Sequence, residues 1–222
     1  LEFTNSATYT VNTTNIPTPG NTMFTSSTLA APAMVTNLGN LQFISNNSIT
    51  APVNNGATGV IQISRQSNTM TGALTTVAGS LIKVDAASNG NSGVLTVSNG
   101  FTNNGTIELT SVTGYSTTLS VTSGTLTNAA GGLIHSIVQS GGGRNLNAEI
   151  NNQGTITIDQ DLTDVKSAAV HHNTGTITIA TGKILTFDQG DFNFDGGDIN
   201  GAGTLEFTNS ATYTVNTTNI PT

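Results

Sequence analysis

Apolar and polar residues alternate along this chain in short runs, and most of those runs open on a glycine. The recurring phrase is a glycine, any residue, then two apolar residues at alternate positions. It starts at Gly39 (Leu41, Phe43), Gly59 (Ile61, Ile63), Gly93 (Leu95, Val97) and Gly105 (Ile107, Leu109). It starts again at Gly154 (Ile156, Ile158), Gly175 (Ile177, Ile179) and Gly203 (Leu205, Phe207). Gly124 and Gly132 open partial forms, and Gly79 and Gly182 open a version displaced by one residue. A period of two marks a strand with one buried side, which leaves Gln62, Thr106, Thr157 and Thr178 facing water. Helical spacing is confined to residues 161–172, where Leu162, Val165 and Ala169 follow an aspartate able to cap a turn. That stretch predicts one or two helical turns, or a loop bulging between strands.

The spacing of the phrases sets the architecture. Gly39, Gly59 and Gly79 are evenly spaced, and Gly105 to Gly124 and Gly154 to Gly175 keep nearly the same step, about 20 residues. Longer gaps, each of about 30 residues, run from Gly124 to Gly154 and from Gly175 to Gly203. Short strands at this step, separated by Asn, Gly and Asp, predict the coils of a parallel β-helix, an all-β solenoid. Leu41, Ile61, Leu95, Ile107, Ile156, Ile177, Leu205 and Phe207 then form its stacked core. Asn104, Asn152 and Asn173, just before glycines, are expected to ladder at corners where left-handed backbone suits Asn and Gly. The strand-crossover rule makes the coil right-handed. A pair of immunoglobulin-like sandwiches is the competing architecture. The absence of Trp argues against it. So do the prolines (Pro17, Pro19, Pro32, Pro52 and Pro221), which leave residues 53–220 free for uninterrupted stacking.

Residues 1–18, LEFTNSATYTVNTTNIPT, recur unchanged as residues 205–222, so the internal period is 205 − 1 = 204 residues. The expected organisation is one complete unit, 1–204, followed by the start of the next, 205–222, within a tandem array. At about 20 residues per coil a unit holds about ten coils, and at about 4.8 Å per coil it advances about 48 Å. A long, exact repeat points toward an elongated structural protein rather than an enzyme.

Composition narrows the surface. Charged residues are 8% of the chain, against about 25% in ordinary domains. The net charge is −7, from 12 acids and five scattered bases, which neither track a phosphate backbone nor form a basic membrane patch. Nucleic acid is therefore not an expected partner, nor is membrane insertion, because no apolar stretch is long enough to span a bilayer. Cysteine is absent, which suits an exported protein without disulfides.

Few residue groups suggest chemistry, and no catalytic or cofactor-binding set is assigned. Asp188, Asp191, Asp195 and Asp198 lie among glycines and are weak calcium candidates, read first as solvated turn aspartates. Asp159, Asp161 and Asp164 are the nearest approach to a glycosidase-like carboxylate pair, but the residues around them offer little to bind a sugar. His171 and His172 are neighbours and, on a strand, point to opposite sides, so they do not share a metal ion. Thr-x-Thr pairs at Thr125/Thr127, Thr155/Thr157 and Thr176/Thr178 suggest a flat threonine face, which Glu108 and Glu206 interrupt.

The run 196–205, GGDINGAGTL, and the Asn-x-Gly-Thr-Ile of residues 152–156 resemble repeats of filamentous-haemagglutinin and autotransporter-type adhesins. The resemblance implies bacterial secretion to the cell surface and a shaft-like or adhesive role, with no active site to carry over. The expected partners are further copies of the unit, stacked end to end through strand pairing, with lateral bundling favoured by the low charge. A glycan- or surface-binding module is the alternative, and a polysaccharide-cleaving β-helix enzyme ranks below it.

Overall fold

The computed structural model describes residues 1–16, 20–87 and 90–218; Pro17, Pro19 and Pro221 lie outside them. The described residues form 27 strands and no helix. Neighbouring strands are parallel throughout. The chain is a parallel β-solenoid whose coils have three faces. The first face runs from Glu2–Thr4 to Asp198–Gly201 and the second from Thr8–Thr10 to Thr204–Phe207. The third runs from Asn15–Ile16 to Thr212–Val215. Three long strands, Gly93–Asn103, Thr117–Asn128 and Arg144–Asn152, turn the corner between the second and third faces without a break. Their registers shift at Asn99/Phe101 and Ser120/Thr125, where bulges make the bend.

Alternation along each strand puts one row of side chains inside, and parallel pairing stacks those rows into ranks. On the first face Leu41, Ile61, Ile82, Ile107, Ile134, Ile156, Ile177 and Ile199 stand directly above one another. The coils between them differ in length, shortest from Leu41 to Ile61 and longest from Ile107 to Ile134, yet the rank stays in register. Leu41, Ile61, Leu95, Ile107, Ile156 and Ile177 are buried, each worth roughly 1.5–3 kcal/mol against exposure. Leu205 and Phe207 are only partly buried, because among the described residues no strand pairs beyond Thr204–Phe207 on that face.

The irregular intervals between phrases have a simple origin. Gly39, Gly59, Gly105, Gly154 and Gly175 open strands of the first face, whereas Gly93 and Gly203 open the second and Gly124 precedes the third. Each of the two long gaps therefore joins phrases on different faces and is not one oversized coil. Residues 161–172 hold no helix: Leu162–Asp164 is a strand of the second face and Val170–Asn173 one of the third, joined through a turn at Ala168 (φ 54°). Pairing of Leu162–Asp164 against Arg144–Leu146 overrides the weak local helical spacing.

An asparagine ladder does line a corner of the interior, with Asn152 and Asn173 among its rungs and Asn103 in place of Asn104, but for a different reason than left-handed backbone. Asn103 donates to Asn128 (2.9 Å), Asn128 to Asn152 (2.8 Å) and Asn152 to Asn173 (2.7 Å), each through Nδ2 to Oδ1. Asn37 and Asn55 make the same bond (2.8 Å) lower in the stack, and Thr76 stands between the two series. Each amide also reaches a main-chain carbonyl, as Asn128 does to Thr155 of the following coil (3.0 Å). None of these asparagines has a positive φ. Asn104 is not a rung; it lies outside the corner with its amide on the Thr76 carbonyl. The glycine after a rung is required by close approach: a Cβ on Gly154 would collide with the Ala129 carbonyl oxygen, and one on Gly175 with that of Gly154.

Asn128→Ala removes one rung and leaves the Asn103 amide and the Asn152 carbonyl without that partner in the interior. The expected loss is about 2–4 kcal/mol, whereas Asn104→Ala, at an exposed position, is expected to cost less than about 1 kcal/mol. Urea unfolding midpoints of the two variants check the difference.

Candidate functional site at the repeat junction

The repeated segment does not hang free of the solenoid. Thr204–Phe207 pairs with Ile184–Phe187 on the second face, and Thr212–Val215 pairs with Asp191–Phe194 on the third. Inside, Phe207 stacks on Phe187 (5.8 Å between ring centres) and on Tyr213 (5.1 Å), and Tyr213 leans on Phe192 (5.8 Å). Aromatic stacking of this kind adds about 0.5–1.5 kcal/mol per pair to the burial.

Outside, the acids named above as calcium candidates hold the same segment. The Asp188 carboxylate accepts from Thr208 Oγ1 and Asn209 Nδ2, both at 2.6 Å. Asp191 accepts from Thr212 Oγ1 (2.5 Å), and Asp195 from Asn216 Nδ2 (2.5 Å). Asp195 also meets His172 Nδ1 at 2.5 Å from its other oxygen. Thr186 on the preceding coil donates to Glu206 (3.0 Å). Asp198 is apart from this group, on the first face. Among the described residues no three acidic or histidine side chains gather as a metal site. The donors Thr208, Asn209, Thr212 and Asn216 carry no motif of their own. The signal for them is the offset of 20 or 21 residues from each acid, one coil length.

Burial presses upward on the Asp195 pKa, but the Asn216 amide and the His172 ring outweigh it and hold the carboxyl below its ordinary range. A lowered pKa in the folded state means that this contact stabilises above the ordinary carboxylate range and is lost as pH falls through it.

The remaining candidates are dispersed. Asp159 meets His135 outside the first face (2.8 Å), and Asp161 accepts from the Ile184 amide (3.0 Å). Asp164 is buried between Leu146 and Phe187, bonded by the Lys166 amide (2.8 Å). The three carboxylates thus point to separate surroundings. His171 is buried against Phe187, its pKa pushed down to about 4 chiefly by burial, while His172 faces outward. The opposed directions follow from the strand. Thr155/Thr157 and Thr176/Thr178 lie together on the first face, but Thr125/Thr127 lies on the third.

One corner departs from the smooth wall. Two successive connections, residues 111–116 and 137–143, lengthen the turn between the first and second faces and expose Val112, Tyr115 and Val138. Beneath them Arg144 is buried, donating to the carbonyls of Gly141 (3.0 Å), Gly142 (2.5 Å) and Ile137 (3.0 Å). Burial lowers its pKa, and burial raises that of Asp85, which Lys83 partly offsets at 3.7 Å. The guanidinium ties the connection 137–143 to the wall.

Comparison with protein-family models, with curated proteins and with solved structures finds no match to the chain.

Two outcomes follow from these environments. Burial raises the Asp164 pKa from 3.8 to about 7, so the native state keeps a proton that the unfolded chain releases. Its contribution to stability therefore falls as pH rises between about 4 and 7, a loss bounded at about 4 kcal/mol. Asp164→Asn is expected to flatten that dependence and to raise the urea midpoint at pH 8. At the junction, Asp188→Ala with Asp191→Ala is expected to speed amide hydrogen exchange in residues 205–216 at least tenfold, about 1.4 kcal/mol, with central coils unchanged. Unchanged exchange there would show that the acids do not hold the segment.

Proposed function

We propose that the chain is a non-enzymatic structural repeat, a segment of an extracellular fibre, stalk or large surface adhesin whose units stack end to end. The observation that carries this reading is the seating of the repeated segment. The opening residues of a second unit continue the same strands, ranks and corners as the coils before them, with no linker between. Backbone pairing is the joint, so the joint is as stiff as the body of the solenoid. Both ends of a coil stack present unpaired strand edges, which another copy satisfies. The low charge of the wall, 8% of residues, leaves little repulsion between neighbouring shafts and favours lateral bundling. The resemblance of residues 152–156 and 196–205 to adhesin repeats agrees with a surface location.

Electron microscopy of the multi-unit protein tests this. The expected image is a thin continuous filament with units spaced about 45 Å apart, from nine coils and a fraction at about 4.8 Å each. Beads joined by flexible spacers would overturn the reading.

A further inference from the structure

From the two copies of residues 1–18 we infer that successive units are seated one face out of phase, and that the end of the ninth coil selects the next copy's opening residues. The inference rests on the stacking of units proposed above and specifies its geometry.

The same residues occupy different walls at the two ends. Glu2 and Phe3 pair with Met23 and Phe24 on the first face. Their counterparts Glu206 and Phe207 pair with Thr186 and Phe187 on the second. Thr8–Thr10 lies on the second face, against Thr28–Ala30, whereas Thr212–Val215 lies on the third. Yet the local shape is kept. Asn5 and Ser6 have φ of 56° and 67°, and Asn209 and Ser210 have φ of 48° and 73°. Phe3 stacks on Tyr9 at 4.6 Å and 15°, and Phe207 on Tyr213 at 5.1 Å and 11°. The segment is a self-consistent corner, two strands around an Asn-Ser bend, that fits either of two corners of the solenoid.

What it meets decides where it sits. At the back of the unit it meets an aromatic interior of Phe187, Phe192 and Phe194 and the outward carboxylates of Asp188, Asp191 and Asp195. Those carboxylates take up the hydroxyls and amides of Thr208, Asn209, Thr212 and Asn216, which correspond to Thr4, Asn5, Thr8 and Asn12 of the unit's front. The partner of this surface is thus a second copy of the same sequence. A period of 205 − 1 = 204 residues covers nine coils plus one face, so each unit begins one wall further round than its predecessor. After three units the phase returns. Any surface feature of one wall, such as the His135–Asp159 pair, is then shown on all three sides of the shaft in turn.

The chain has no cysteine, so engineered disulfides report registers directly. Facing positions on adjacent parallel strands are about 4.8 Å apart, within the disulfide range. In the 222-residue chain, T186C/E206C and N193C/T214C are expected to oxidise as completely as the front-end pair E2C/M23C. Closure of E2C/M23C with failure of the other two would overturn the junction. In class-averaged images of multi-unit filaments, units stepping by about a third of a turn beyond the twist within one unit support the inference. A continuous filament whose units all share one azimuth overturns it and leaves the shaft intact. Separate beads overturn the shaft itself.

Discussion

Everything in this molecule hangs on the parallel hydrogen-bond ladder between one coil and the next. The ladder fixes register, register turns sequence alternation into interior ranks, and the ranks supply the burial that keeps the coils together. It also explains how a solenoid this narrow tolerates polar groups inside. The asparagines of the corner are satisfied along the axis, by neighbouring amides and by main-chain carbonyls, so the same direction that orders the backbone orders the side chains. Asp164 and His171 sit among apolar neighbours of the adjoining coils and lack that arrangement; each has a buried atom without a hydrogen-bond partner. Both respond by shifting toward the neutral form.

The junction uses the same ladder with an added layer of selectivity. Main-chain pairing alone accepts almost any strand of the right alternation. The carboxylates of Asp188, Asp191 and Asp195, each one coil from a donor, add a pattern that the opening segment matches. Shape and burial come from the aromatic interior, and identity comes from the outer row. This division resembles that of an interface, where a packed centre supplies affinity and a polar rim sets register.

Much of this was legible in the letters. Period-two alternation behind glycine, at steps near 20, specifies strands, coils and the isoleucine rank, because burial on a pleated surface leaves little choice of residue at Ile61, Ile107 or Ile177. The assignment of phrases to faces was not legible, since Gly93 and Gly203 carry the same words as Gly154 and only the corners tell them apart. Nor was the true rung of the ladder: Asn103 and Asn104 are adjacent and identical in chemistry, and only strand direction decides which one points in. The acids of the junction stood out as a cluster, but their partners lie a coil away, where sequence proximity gives no hint.

The length of a coil also determines how the molecule bears load. Its interstrand hydrogen bonds lie along the shaft, so axial tension passes through successive coils in series, as through links of a chain. Opening one coil frees its residues at up to about 3.5 Å each, roughly 75 Å of slack, while the coils beyond it stay closed. Strength is set by the weakest coil, and length is held in reserve by all the others.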